Sequence, residues 1–160
     1  MKKIIECGGL PHIVFMLHSN HVVMLNEAIM SLTIMASTFL QGYNDTELQS
    51  HHSSTATDEK LKEEEGQIEK MELSDPRTIS TQLHTDAVIN GIKNCLKNPD
   101  HPKEVKANAA TLTMTLLKTK TKEFKQMLEE MSFVKECFTK EALESLPDEC
   151  KRLNDILNEN

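Results

Sequence analysis

GGLPHIVFMLHSNHVVMLNEAIMSLTIMA, residues 8–36, holds two glycines, a Leu-Pro step, a short apolar stretch, four polar residues and a longer apolar stretch. The order of these pieces suggests helix stop, helix, turn, helix. Ile4 and Ile5 fit the last turn of a preceding helix. Gly8 and Gly9 end it, because glycine takes the left-handed conformation at a helix terminus without a Cβ penalty. Pro11 falls in a first helical turn, where its missing N–H costs nothing. Leu10, Ile13, Val14 and Leu17 then make one apolar stripe. His18 to His21 form a polar turn rich in N-cap residue types.

The helix that follows is expected over about Val22–Ser37. Val22, Leu25, Ile29, Leu32 and Ala36 recur at helical spacing, and Val23, Met30 and Ile34 mark a second face. A helix apolar most of the way round is expected to be buried, either centrally in a bundle or as the inner helix of a repeat.

The second possibility predicts self-similarity along the chain. Ile89, Ile92 and Leu96 repeat the spacing of Leu10, Ile13 and Leu17. A polar turn over Lys97–His101 follows, with Pro102 at a helix start. VKANAATLTMTLLK, residues 105–118, then places Ala109, Leu112 and Leu116 on a stripe like that of the first long helix. A third partial copy begins at Met127-Leu128-Glu129, the counterpart of Ile4-Ile5-Glu6. Met131-Ser132 stands in for the two glycines, and Phe133 to Phe138 follow as Leu10 to Phe15 do. SLPDECKRLNDILNEN closes the chain. Ser145 and Asp148 resemble a capping box around Pro147. Cys150, Leu153, Ile156 and Leu157 form the stripe of a helix expected to cover the open end of the stack.

Composition narrows the class. The chain has 160 residues, no Trp and nine Met, and aromatics are 4% of it, so aliphatic and thioether packing is expected. Alternating β-branched runs are absent, which points to an all-α chain. The net charge is −7. Between Asn44 and Arg77 ten acidic residues face four basic ones, and elsewhere 15 face 14. A nucleic-acid protein would show a basic face instead. The four cysteines, the lack of a signal-peptide core and the lack of a ~20-residue apolar run suggest a cytoplasmic chain with free thiols. Cys7 and Cys95 are expected to be buried. The sequon at Asn44 is then inert.

The expected organisation is repeat helices over 1–43, an acidic flexible insertion over 44–82, and repeat helices with a C-terminal capping helix over 83–160. The insertion is too poor in apolar residues to bury much, although its helix formers allow a transient helix near 58–73. The long helices are about 80 residues apart. One repeat step of about 40 residues plus a surface-loop insertion of nearly 40 accounts for that distance.

The Gly-Gly, the Leu-Pro-x-Ile-Val-x-x-Leu helix and the Ala-containing inner helix resemble an armadillo repeat. GGLPHIV with HVVMLNEAIMSL, followed by VKANAATL and KEF, is similar to the C-terminal repeats of small-GTPase GDP-dissociation stimulators. The resemblance covers roughly residues 4–36 and 84–138. It implies an α-solenoid of two to three partial repeats, interrupted by the acidic insertion. It also implies binding of Rho- or Ras-type GTPases, prenylated or polybasic, with guanine-nucleotide exchange-factor or chaperone activity. One departure stands out. Many armadillo proteins bind an extended peptide backbone through an Asn late in each inner helix, and here those positions hold Ile34 and Thr115. Peptide capture of the nuclear-import type is not expected. The chain opens inside a repeat, consistent with an internal start or a fragment.

Inner helices of a solenoid line its concave face. Asn26, Glu27, Met30 and Ile34 on the first, with Asn108, Thr111, Thr115 and Lys118 on the second, are therefore the candidate partner-binding residues. Packing between repeats for Met30 and Ile34, and plain solvation for the threonines, is the competing account. No catalytic constellation, phosphate-binding glycine loop or Gly-x-Ser-x-Gly is present. His18-x-x-His21 and His51-His52 lack the further ligands a zinc site needs. No metal and no cofactor are expected. The acidic insertion could speed encounter with a polybasic tail or be a tolerated loop. Alternative readings are a general armadillo scaffold for an unrelated protein, and a truncated fragment without activity of its own.

Overall fold

The computed structural model describes residues 4–5, 7–49, 76–118 and 121–159. Residues 50–75 lie outside them, and with these the histidine pair, the transient helix and most of the acidic insertion. The described residues are mostly helical, with turns and short irregular links between the helices and no strand among them. In chain order the helices are α1 (Leu10–Met16), α2 (Val22–Gln49), α3 (Pro76–Leu83), α4 (Asp86–Lys97), α5 (Lys103–Leu117), α6 (Thr121–Glu130), α7 (Phe133–Cys137), α8 (Lys140–Ser145) and α9 (Asp148–Asn158).

Two rows of helices organise the packing. α2, α5 and α9 lie side by side in one row, and α1, α4 and α7 in the other. α1 packs on α2 and α4 on α5, which joins the rows. The short helices α3 and α6 pack on α2 and α5 respectively. The core runs between the rows. Leu25, Ile29, Leu32, Met35 and Ala36 of α2 meet Ala109, Leu112 and Leu116 of α5, with Val88, Ile89 and Ile92 of α4 beneath them. Burying each of the large aliphatic side chains is worth about 1.5–3 kcal/mol.

The opening motif is built as its residues dictate. Ile4 and Ile5 are helical, and Gly8 takes a φ of +71°. The Gly8 N–H donates to the Ile5 carbonyl at 2.9 Å and the Gly9 N–H to the Ile4 carbonyl at 2.7 Å, which closes the helix end. A Cβ on Gly9 would stand 2.8 Å from the Ile4 carbonyl oxygen, so this turn admits no larger residue without moving backbone. Pro11 sits in the first turn of α1, as expected. The third copy makes a similar turn with Ser132, left-handed at φ 55°, directly before α7. Pro102 stands at the start of α5, as its position suggests. Thr85 caps α4, its hydroxyl accepting from the Val88 N–H at 3.4 Å.

Several expectations are corrected. α2 does not end at Ser37 but continues to Gln49, and α3 is a helix within the interval assigned to the insertion. Ile79 and Leu83 of α3 are fully buried, the apolar anchor that sequence hydropathy alone understates. α2 is not buried all round: Val23 (57%), Met30 (42%) and Ile34 (48%) stay exposed. The capping box at α9 does not form. Pro147 is the N-cap residue, without a side-chain bond, and Ser145 ends α8 and donates to the Ala142 carbonyl at 3.0 Å. Ile156 is 42% exposed rather than part of the α9 core stripe, because Cys150, Leu153 and Leu157 already fill the side facing α5. Cys7 is exposed in the turn before Gly8, whereas Cys95, Cys137 and Cys150 are buried.

Candidate functional site

The α2–α5–α9 row presents an outer face. On α2, residues 23, 27, 30 and 34 fall within about 60° of one another at 100° per residue. Val23, Glu27, Met30 and Ile34 therefore share one exposed strip. On α5 and its C-cap, residues 108, 111, 115 and 118 fall within about 80° of one another. Thr111 and Lys118 are exposed, and Asn108 and Thr115 half-buried.

The two strips are joined by a side-chain bond. Asn108 Nδ2 donates to Asn26 Oδ1 at 2.9 Å, with both residues partly buried. Three other candidates are open to solvent on α2, so Met30 and Ile34 do not serve as packing between helices, and Glu27 is exposed beside them. The threonines spend their protons on their own helix. Thr111 Oγ1 donates to the Ala107 carbonyl at 3.0 Å and Thr115 Oγ1 to the Thr111 carbonyl at 2.8 Å.

Past Thr111 and Thr115 the face continues into a groove of about 340 Å³ between α5 and α9. Met114 and Ile156 supply apolar lining, and Lys118 and Arg152 supply positive charge. Arg152 and Ile156 are four apart on α9, hence on one side of it. Neither is legible as a site residue from its own stretch, since their meaning comes from α9 packing beside α5.

A second hollow, of about 290 Å³, lies near the α1–α2 turn and the end of α4. It is polar, but its two histidines are committed locally. His18 Nε2 donates to the Ala87 carbonyl at 3.1 Å. His101 Nδ1 donates to the Cys95 carbonyl at 3.2 Å, and its Nε2 accepts from Asn98 Nδ2 at 3.1 Å. His18 thus docks the turn onto α4. Among the described residues no group of three His, Cys, Asp or Glu side chains is placed to hold a metal ion. Nor is any helix among them long and apolar enough to cross a membrane.

On the other row one carboxylate joins two lysines. Lys93 Nζ, buried, donates to Glu136 Oε1 at 2.8 Å and to the Met131 carbonyl at 2.7 Å. Lys97 Nζ donates to Glu136 Oε2 at 2.7 Å. The hydrogen bonds from Lys93 and Lys97 hold the Glu136 carboxyl down at about 2. The bond to Glu136 in turn raises Lys97 above the ordinary lysine value. This cluster ties α4 to α7. The sequence hides it, because Lys93 lies on a helix face otherwise read as apolar. Burial pushes the Cys95 thiol up to about 11 and the Cys137 and Cys150 thiols up to about 12, so none of the three is a nucleophile near neutral pH.

No family model, no curated protein and no solved structure matches the chain. The resemblance to armadillo repeats therefore stands on the residues quoted above.

Proposed function

We propose that the chain is a protein-docking module of the armadillo type, and that its α2–α5–α9 face binds a small GTPase of the Rho or Ras type. In this reading the module promotes GDP release or chaperones the GTPase. The helix order supports the solenoid half of the proposal. Ile4–Ile5 with α1 and α2, then α3 with α4 and α5, then α6 with α7 and, after the short α8, α9, make three successive units that each end on their longest helix. The observation that carries the docking half is the exposed strip Val23, Glu27, Met30 and Ile34, held beside the α5 strip by the Asn26–Asn108 bond. Monomeric surfaces scatter such apolar residues singly, and a row of them suggests an interface.

Exchange on such a surface needs no covalent chemistry and no cofactor. A face that prefers the GTPase conformation holding nucleotide loosely drives release by that differential affinity. The test is binding of the full chain to a Rho-type GTPase with its polybasic tail, in nucleotide-free and GDP-bound forms. A preference of about tenfold or more for the nucleotide-free form is expected. Equal binding removes the exchange activity, since equal affinities shift no population. No binding removes the GTPase. A scaffold for a different partner is the second reading. It is favoured by Lys118 and Arg152, which place positive charge where a polybasic tail would be repelled.

A further inference from the structure

We infer that the groove between α5 and α9 receives a partner segment in which a large apolar side chain stands next to a carboxylate. The inference rests on reading the α2–α5–α9 face as a docking surface, and it names the chemistry of one part of that surface. Met114 and Ile156 give the groove an apolar wall, with Ile156 42% exposed and therefore still in water. Covering it is favourable at about 25 cal/mol per Å² of apolar surface.

The polar side of the groove is one-signed. Lys118 and Arg152 line it, and among the described residues no carboxylate does. Neither cation is within ion-pair distance of an acidic group among the described residues, although Glu149 and Asp155 flank Arg152 along α9. The threonines of the lining offer no free donor, because Thr111 and Thr115 donate to their own helix. Among the described lining side chains, hydrogen-bond donation is thus left to an ammonium and a guanidinium, and both favour an anionic acceptor, which in an unmodified peptide segment is a carboxylate.

Openness decides between a peptide and a small amphiphilic anion. Thr111, Lys118 and Arg152 are exposed, so a small ligand here would keep much of its surface wet. Small-molecule sites bury about 70–90% of their ligand, and 340 Å³ is at the low end of their usual range of about 300–1,000 Å³. A side chain anchored from a segment that continues along the face fits better.

The test uses the full chain labelled at its Met and Ile methyl groups and observed by NMR. The probes are Ac-Gly-Leu-Phe-Asp-Glu-Gly-NH2, the same peptide with Asn-Gln or with Lys-Lys in place of Asp-Glu, and decanoate. The acidic peptide is expected to shift Met114 and Ile156, and the amide and basic peptides to shift them far less. Lys118→Ala and Arg152→Ala, both at exposed positions without ion pairs among the described residues, should each raise Kd about threefold and together about tenfold, less at high salt. Equal shifts from all three peptides overturn the inference, as do shifts from decanoate alone. If the acidic peptide moves neither methyl while a peptide moves Met30 or Ile34, the groove chemistry is wrong and the docking face stands. If no probe moves either set, and the GTPase also fails to bind, both readings fall.

Discussion

Gly91 allows α4 to approach α1, and a methyl group placed there tests the two-row packing directly. A Cβ on Gly91 would lie 2.6 Å from Leu17 Cβ and 3.2 Å from Leu17 Cδ1. Carbon atoms rest about 3.5–4.0 Å apart. The closer atom is the root of the Leu17 side chain, so no rotamer change relieves the clash and the helices must part by roughly 1 Å. Overpacking of this kind costs about 1–3 kcal/mol. Alanine in a helix interior gains about 0.8–1.0 kcal/mol over glycine. The net loss for Gly91→Ala is then about 1 kcal/mol, or about 2–4 °C in Tm for a chain of this size. Urea denaturation followed by circular dichroism measures it as a lower midpoint at unchanged slope. Asn90→Ala, on the exposed side of the same helix, is the control and is expected to gain a few tenths of a kcal/mol. If Gly91→Ala is as stable as the parent chain or more so, α1 and α4 do not approach as described.

Three further outcomes follow from the geometry. Glu136 titrates at about 2 in the folded chain against an ordinary 4.5, so its stabilising contribution is full above about pH 4.5 and fades as pH falls toward 2. Glu136→Gln should flatten that part of the urea-midpoint-against-pH curve, and an unchanged curve would remove the two-lysine cluster from the account. Asn26→Ala and Asn108→Ala should each cost about 0.5–1.5 kcal/mol, and the double variant less than their sum. Strict additivity would mean that the two amides do not bond. Of the four thiols, Cys7 alone should react promptly with a thiol reagent at pH 8 in the native chain. Four equal rates would contradict the burial of the others.

Apolar spacing made much of the architecture legible. Leu10 and Leu17, Leu25, Ile29, Leu32 and Ala36, and Ala109, Leu112 and Leu116 are all read correctly as core, because each repeats at helical period within one segment. The glycine stop and the two prolines were equally readable, since backbone chemistry is local. What was missed depended on neighbours. α3 carries only Ile79 and Leu83 to identify it, too few for a periodic signal. The exposure of Val23, Met30 and Ile34 could not come from α2 itself, whose apolar residues look alike until α1, α3 and α5 have covered one side. Asn26 and Asn108 were each legible as surface candidates. That they bond across 82 positions is a property of the packing. Arg152 and Ile156 went unread as site residues for the same reason.

The three buried thiols sit on α4, α7 and α9, one to each of three helices that a native-state opening could expose separately. Cys95 and Cys150 both point back to the start of α5, their Sγ atoms 3.9 Å from the Val105 carbonyl and 3.6 Å from the Lys106 carbonyl. A slow alkylating reagent, followed site by site, therefore reads the chain as a set of clocks. Each thiol ages only while its own helix is away from its neighbours, and the order in which they are marked gives the order in which the array comes apart.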